Sequence, residues 1–225
     1  MKVWKHCAFW LALSAAFATS ASAGQVVDRM VANVNGHILL QSDWEEELAF
    51  ESFVNGRSLD SFTLEERKAA LDRLIDQELL REQVRPSEGA PANEIAARVN
   101  EVRKLHPEAA TDEGWRAALL HCGLNQSDLE KRLGEGIQLM RLVEARLRPS
   151  IQIDQKAVES YYHEQLIPEL KKAGSKEVGL PEVFGHIKDL LAEQRLNQLL
   201  HGWLATLRSA SRIQTAQSGG GDQTP

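Results

Sequence analysis

The last apolar stripe in the chain limits the folds open to it. Between Glu182 and Arg208, Val183, Ile187, Leu190, Leu191, Leu196, Leu199, Leu200, Trp203, Leu204 and Leu207 recur at helical spacing. A helix this apolar along one side must bury that side against other elements. The upstream chain therefore has to supply partners, and its own patterning is helical too. The spacing predicts a mainly α, multi-helix fold.

Capping signals punctuate the upstream helices. Ser42 with Glu45 and Thr63 with Glu66 read as capping boxes. The first opens a helix carrying Trp44, Leu48, Phe50, Phe53 and Val54, ending near Asn55-Gly56. The second opens one carrying Leu71, Leu74, Ile75 and Leu79, stopped by Arg85-Pro86. A third helix holds Ile95, Val99, Val102 and Leu105, and Pro107 closes it. Thr111 caps a fourth, with Trp115 and Leu119 inside it and Gly123 just beyond its end. Ser127 with Glu130 opens a long helix that Pro149 ends, and Gly134 and Gly136 weaken it by about 1 kcal/mol each against alanine. The Asn125-Gln126-Ser127 triplet is a glycosylation sequon that reads better as a helix N-cap. Ile151 and Ile153 alternate in an extended link, and Asp154 caps a helix with Val158, Tyr161 and Tyr162.

A small sheet is expected beside the helices. Asn35-Gly36 stands between Val31, Ala32, Val34 and Ile38, Leu39, Leu40, and both turn residues tolerate positive φ, which marks a hairpin. Two strands alone are marginal. Residues 211–215 are placed to add a third antiparallel strand and bring the two ends of the chain together.

The first residues bear on compartment. Lys2, Lys5 and His6 precede an apolar run, Cys7 to Ala18, and then Ala21-Ser22-Ala23, the pattern of a cleavable signal peptide. The run falls short of the roughly 20 residues that span a bilayer. Removal of residues 1–23 would take Cys7 with it, leaving Cys122 alone and no intramolecular disulfide. It would also leave 24 lysines and arginines against 32 carboxylates, a poor match for nucleic acid. The expected organisation is a signal at 1–23, a helical region at 24–166, a linker at 167–181 with Pro168, Gly174, Gly179 and Pro181, a helix and strand at 182–213, and a polar, disordered tail at 214–225.

Catalytic and metal patterns do not stand out. No H-E-x-x-H, paired-cysteine, G-x-S-x-G or P-loop spacing occurs, and the seven histidines are scattered. No cofactor or metal is expected. Trp44, Phe50, Phe53, Trp115 and Trp203 are the candidate peptide-binding residues, with burial in the core as the competing role for each.

The order of these segments resembles that of the SurA-type periplasmic chaperones. The opening Gln25-Val26-Val27-Asp28-Arg29 with VANVNGHILLQSDW is similar to the start of that family's N-terminal module, and LDRLIDQELLREQ to its next helix. The stretch from Trp115 through HCGLNQSDLEKRL to RLRPSIQIDQKAVESYY resembles its following helix, turn, long helix and Ile-x-Ile link. The likeness covers residues 25–162, and the last helix resembles the segment that folds back onto that module. The family's parvulin isomerase domain has no room here, since too few residues separate Tyr162 from the last helix. Gly185-His186-Ile187 is only a faint echo of its motifs. The resemblance therefore implies an ATP-independent chaperone that is not an enzyme, acting in the periplasm on unfolded outer-membrane or exported proteins through an apolar groove. An adaptor for one specific partner and a degenerate prolyl isomerase stay open beside it.

Overall fold

A type of turn that only a few residues accept starts the fold. In the computed structural model, which describes residues 28–84 and 89–216, Asn35 and Gly36 hold φ of 53° and 99°. Two consecutive positive φ values make the tight hairpin that suits the strands' twist. They join β1 (Met30–Val34) to β2 (His37–Leu40). The expected third strand, β3 (Ile213–Thr215), pairs antiparallel with β1, so the order is β2-β1-β3. Asn35 also fastens this join. Its Nδ2 donates to the Glu82 carboxylate at 2.9 Å and to Ser211 Oγ at 3.2 Å, and its Oδ1 accepts from the Arg212 N–H at 2.9 Å.

The helices are α1 (Gln41–Val54), α2 (Leu64–Arg81), α3 (Ala92–Lys104), α4 (Asp112–His121), α5 (Gln126–Leu147), α6 (Gln155–Tyr161), α7 (Ile167–Lys172) and α8 (Leu180–Ala210). The mainly α fold with a small antiparallel sheet is the one the patterning predicts. Thr63, Thr111, Asn125 and Asp154 all cap as N-caps, each accepting a first-turn N–H.

Two capping expectations fail for local reasons. Because β2 runs directly into α1, Ser42 lies inside the helix. The end of β2 is instead closed by the Leu40 N–H donating to Asp43 Oδ2 at 2.8 Å, while Ser42 donates to Asp28. The long helix starts with Asn125, two residues before Ser127, because Asn125 Oδ1 accepts from the Asp128 N–H at 3.0 Å. The segment 167–181 is also more helical than a linker. A five-residue π turn, Tyr162–Leu166, joins α6 to α7, and only residues 173–179 lie outside helix before α8. Pro168 has no N–H to give residue 164, and a wider turn just before it relieves that break. The chain then reverses at Gly174, φ 64°. The signal-peptide pattern and residues 217–225 lie outside the described residues.

Four groups of buried side chains hold these elements, the smallest joining Leu48 of α1 to Phe62 and Ala70. Phe53, Val102, Trp115, Leu119 and Leu129 join α1, α3, α4 and α5. Val31, Val34 and Leu39 of the sheet pack on Ile75 and Leu79 of α2. Leu80, Val143 and Leu196 join α2, α5 and α8, with Leu200, Trp203, Leu204 and Leu207 packed against them. The C-terminal helix is thus clamped on α2, where Arg208 also reaches Asp76 Oδ1 at 2.6 Å and the Asp72 carbonyl at 2.9 Å. Its first half lies against α6, burying Ile187 and Val158.

The two helical glycines play different parts. A methyl group at Gly134 would sit 3.1 Å from Ile95 Cδ1, so the bare backbone there lets α3 approach α5. Nothing lies within 4 Å of such a group at Gly136. Gly136→Ala is therefore expected to raise stability by about 0.5–1 kcal/mol, through lower backbone entropy in the unfolded chain. Gly134→Ala should give less than that gain or a loss. Urea unfolding of the two variants reads the difference, and equal gains would contradict the close approach.

Candidate binding cleft

A cleft of about 1150 Å³ opens between β2, α1 and α2 on one side and α5 and α8 on the other. The small sheet sets one end, because it ties the start of α1 to α2. The α8–α2 clamp sets another, because it brings Leu200 and Leu204 to the rim of α5. Leu80, Leu124 and Val143 are buried at its base, while Phe50, Leu74, Leu139 and Leu204 are half-buried in its lining. Met140 is 56% exposed on its α5 wall. A concave surface on which aliphatic side chains alternate with charged ones is suited to taking apolar side chains beside polar ones.

Polar groups frame this lining. Arg132 of α5 crosses to α1, donating to Glu47 Oε2 at 3.2 Å and Glu46 Oε2 at 3.0 Å, with its guanidinium 5.3 Å from the centre of the Phe50 ring. Glu47 is buried and also accepts from Gln77 Nε2 at 3.1 Å. Burial pushes its carboxyl above the ordinary carboxylate range, with the Gln77 bond and the Arg132 charge acting against that. Glu78 is buried nearby, held by Arg81 at 2.6 Å and facing His37 Nδ1 at 3.7 Å. Cys122 lies at the turn before α5, half-buried, and burial raises its thiol pKa. A raised thiol is a weak nucleophile. Among the described residues, no group of three or more His, Cys, Asp or Glu is arranged to hold a metal ion.

The raised Glu47 has a consequence for pH. A carboxyl whose folded pKa exceeds its unfolded one adds stability below the unfolded value and loses it as pH rises through the folded value. Glu47→Gln removes that loss. The melting temperature of the variant minus that of the parent should therefore become more positive as pH is raised from the ordinary carboxylate range towards neutrality. Thermal unfolding across that range checks it, and a difference moving the other way would refute the assignment.

No family model matches this chain, and no curated protein matches it. Among the five aromatic residues singled out from the sequence, only Phe50 lines the cleft. Phe53 and Trp115 belong to the core, 1% and 5% exposed, because their rings pack on each other and on His106. Trp115 also donates to Gln126 Oε1 at 2.7 Å. Trp44 is half-buried between the sheet and Leu48, Phe62 and Ala70, with its indole N–H donating to the Arg67 carbonyl at 2.9 Å. Trp203 packs in the α8 cluster beneath Arg146, whose guanidinium lies 4.7 Å from the ring centre. They do not form one surface. The lining is built instead from Leu200 and Leu204 of the last helix's apolar stripe, from Leu139 and Met140 of α5, and from Glu47 and Arg132, for which the sequence offers no signal.

One sheet edge adjoins the cleft. Asn33 stands opposite Gln214 of β3, between the bonds Asn35 N–H to Arg212 and Ala216 N–H to Val31, so its backbone is spent on β3. Ile38 pairs with Asn33 across the hairpin. By the alternation of an antiparallel ladder, the N–H and C=O of Ile38 face the open edge of β2. His37 and Leu39, either side of it, line the cleft.

Proposed function

We propose that this protein is a non-enzymatic, ATP-independent chaperone that holds unfolded polypeptide in the cleft between α1, α2, α5 and α8. Its clients are unfolded outer-membrane or exported proteins, and it acts in the periplasm, delivered by a cleavable signal at residues 1–23. The observation that carries the reading is the cleft itself, with accessible aliphatic walls beside a free strand edge. An extended client buries alternate side chains against Leu139, Met140 and Leu204 and pairs its backbone with Ile38, so that contacts are spread and insensitive to exact sequence. Ordering a disordered client consumes part of the contact energy, which keeps such binding modest and reversible.

Support also comes from the likeness to the SurA-type chaperones drawn from residues 25–162. In that family the last helix returns to the N-terminal module, and here α8 lies on α2 and α5. No helix among the described residues is long and apolar enough to cross a membrane. The test is light scattering of a denatured outer-membrane barrel protein diluted into buffer with and without residues 24–225. Suppression of scattering near equimolar ratio is expected. Unchanged aggregation at severalfold excess would remove the reading.

A further inference from the structure

We infer that the cleft selects apolar segments flanked by lysine or arginine over those flanked by aspartate or glutamate. This rests on the polypeptide-holding role and specifies the chemistry of its clients. The lining carries seven carboxylates against four lysine and arginine side chains. Most of these charges are already paired. Arg132 serves Glu46 and Glu47, Arg81 serves Glu78 and Glu135, Arg73 serves Glu51, and Asp76 serves Arg208.

Three carboxylates are left over. Asp43, Glu45 and Asp128 have no cationic partner among the described residues. Asp43 accepts only the Leu40 N–H and Glu45 only the Gln41 amide, at 2.8 Å and 2.7 Å, and neither bond neutralises charge. Lys131 is the one lining cation without an anionic partner among the described residues. The surplus is negative, and it lies in the lining beside aliphatic side chains, whose low polarizability concentrates the field there. Asp43 and Glu45 lie on α1 while Asp128 lies on α5, so the surplus is shared between two elements of the lining. Charges spaced over two elements suit cations spaced along a chain. They do not suit one bound ion. Arg132 displays the same chemistry within the molecule, its guanidinium held by two carboxylates and the Phe50 ring.

Three fluorescent peptides with one apolar core, flanked by lysine, by glutamine or by glutamate, test this by anisotropy with the folded protein. At low salt the lysine-flanked peptide is expected to bind about tenfold tighter than the glutamate-flanked one, from several exposed charge contacts of modest size. The ratio should fall to about threefold or less in 0.5 M salt. Combining Glu45→Gln with Asp128→Asn should shrink the low-salt ratio severalfold, with circular dichroism verifying that the helices persist. Equal binding of all three peptides would overturn the charge selectivity and leave the holding role standing. Binding of none would overturn both.

Discussion

Phe53→Ala is expected to cost about 3–5 kcal/mol of folding stability, the range seen when a buried phenylalanine is truncated. Phe53 is 1% exposed and stacks on His106 with ring centres 4.3 Å apart, tilted against Trp115 at 5.3 Å. His106 Nε2 also donates to the Phe53 carbonyl at 2.8 Å, so the ring contact and the backbone contact fix each other. This is the place where the end of α1 meets α3, α4 and α5. Removing the ring takes away apolar burial and leaves a cavity that His106 and Trp115 cannot both fill without giving up their bonds. Against a typical total of about 5–15 kcal/mol, the variant would be only marginally folded. Urea unfolding followed by circular dichroism measures it. Phe53→Leu keeps most of the volume and should cost clearly less. A loss below about 1 kcal/mol for Phe53→Ala would mean that the aromatic group is loosely packed.

The second large effect is expected at Arg132. Arg132→Ala should destabilise the protein by about 2–3 kcal/mol, mostly by leaving the buried Glu47 carboxylate without its charge partner. The remaining Gln77 bond at 3.1 Å satisfies one oxygen but supplies no charge. A buried carboxylate in that position escapes by taking up a proton. The deficit of Arg132→Ala should therefore narrow as pH is lowered and widen as it is raised. Adding Glu47→Gln should restore part of the loss, because an amide tolerates burial better than an uncompensated anion. A double-mutant cycle on the two positions gives the coupling directly. Strict additivity would show that Arg132 acts through Glu46 and Phe50 alone.

Much of the fold could be read from local chemistry, and the exceptions have identifiable causes. Asn35-Gly36, Thr63 with Glu66, Thr111 and Asp154 are signals whose physics is complete within a few residues, and each appears where the sequence places it. Ser42 is different. Whether it caps depends on how β2 enters α1 and on Asp28, which lies in sequence well before the helix. Pro168 and Gly174 resemble linker residues, yet a π turn absorbs the proline and the glycine merely ends α7. Gly134 reads as a weak point in α5, yet Ile95 packs against it and needs the bare backbone.

The site was harder to foresee. An aromatic residue favours burial and contact with ligands for the same reason, a large apolar surface, so Phe53 and Phe50 are indistinguishable as letters. Their fates separate only when α3 and α4 cover one and leave the other facing α5. The charged frame is less legible still. Arg132 lies 85 residues from Glu47, and nothing local in either segment announces the pairing.

The position of β1 governs the order in which the protein can assemble. β1 is the middle strand, yet one of its neighbours is made within a few residues of it and the other, β3, comes only after α8. A chain emerging from its N-terminus must carry a bare inner edge on β1 through the synthesis of every helix. The sheet is therefore completed only after α8 has been made, and a chain halted at residue 210 would retain that exposed edge however well its helices had formed.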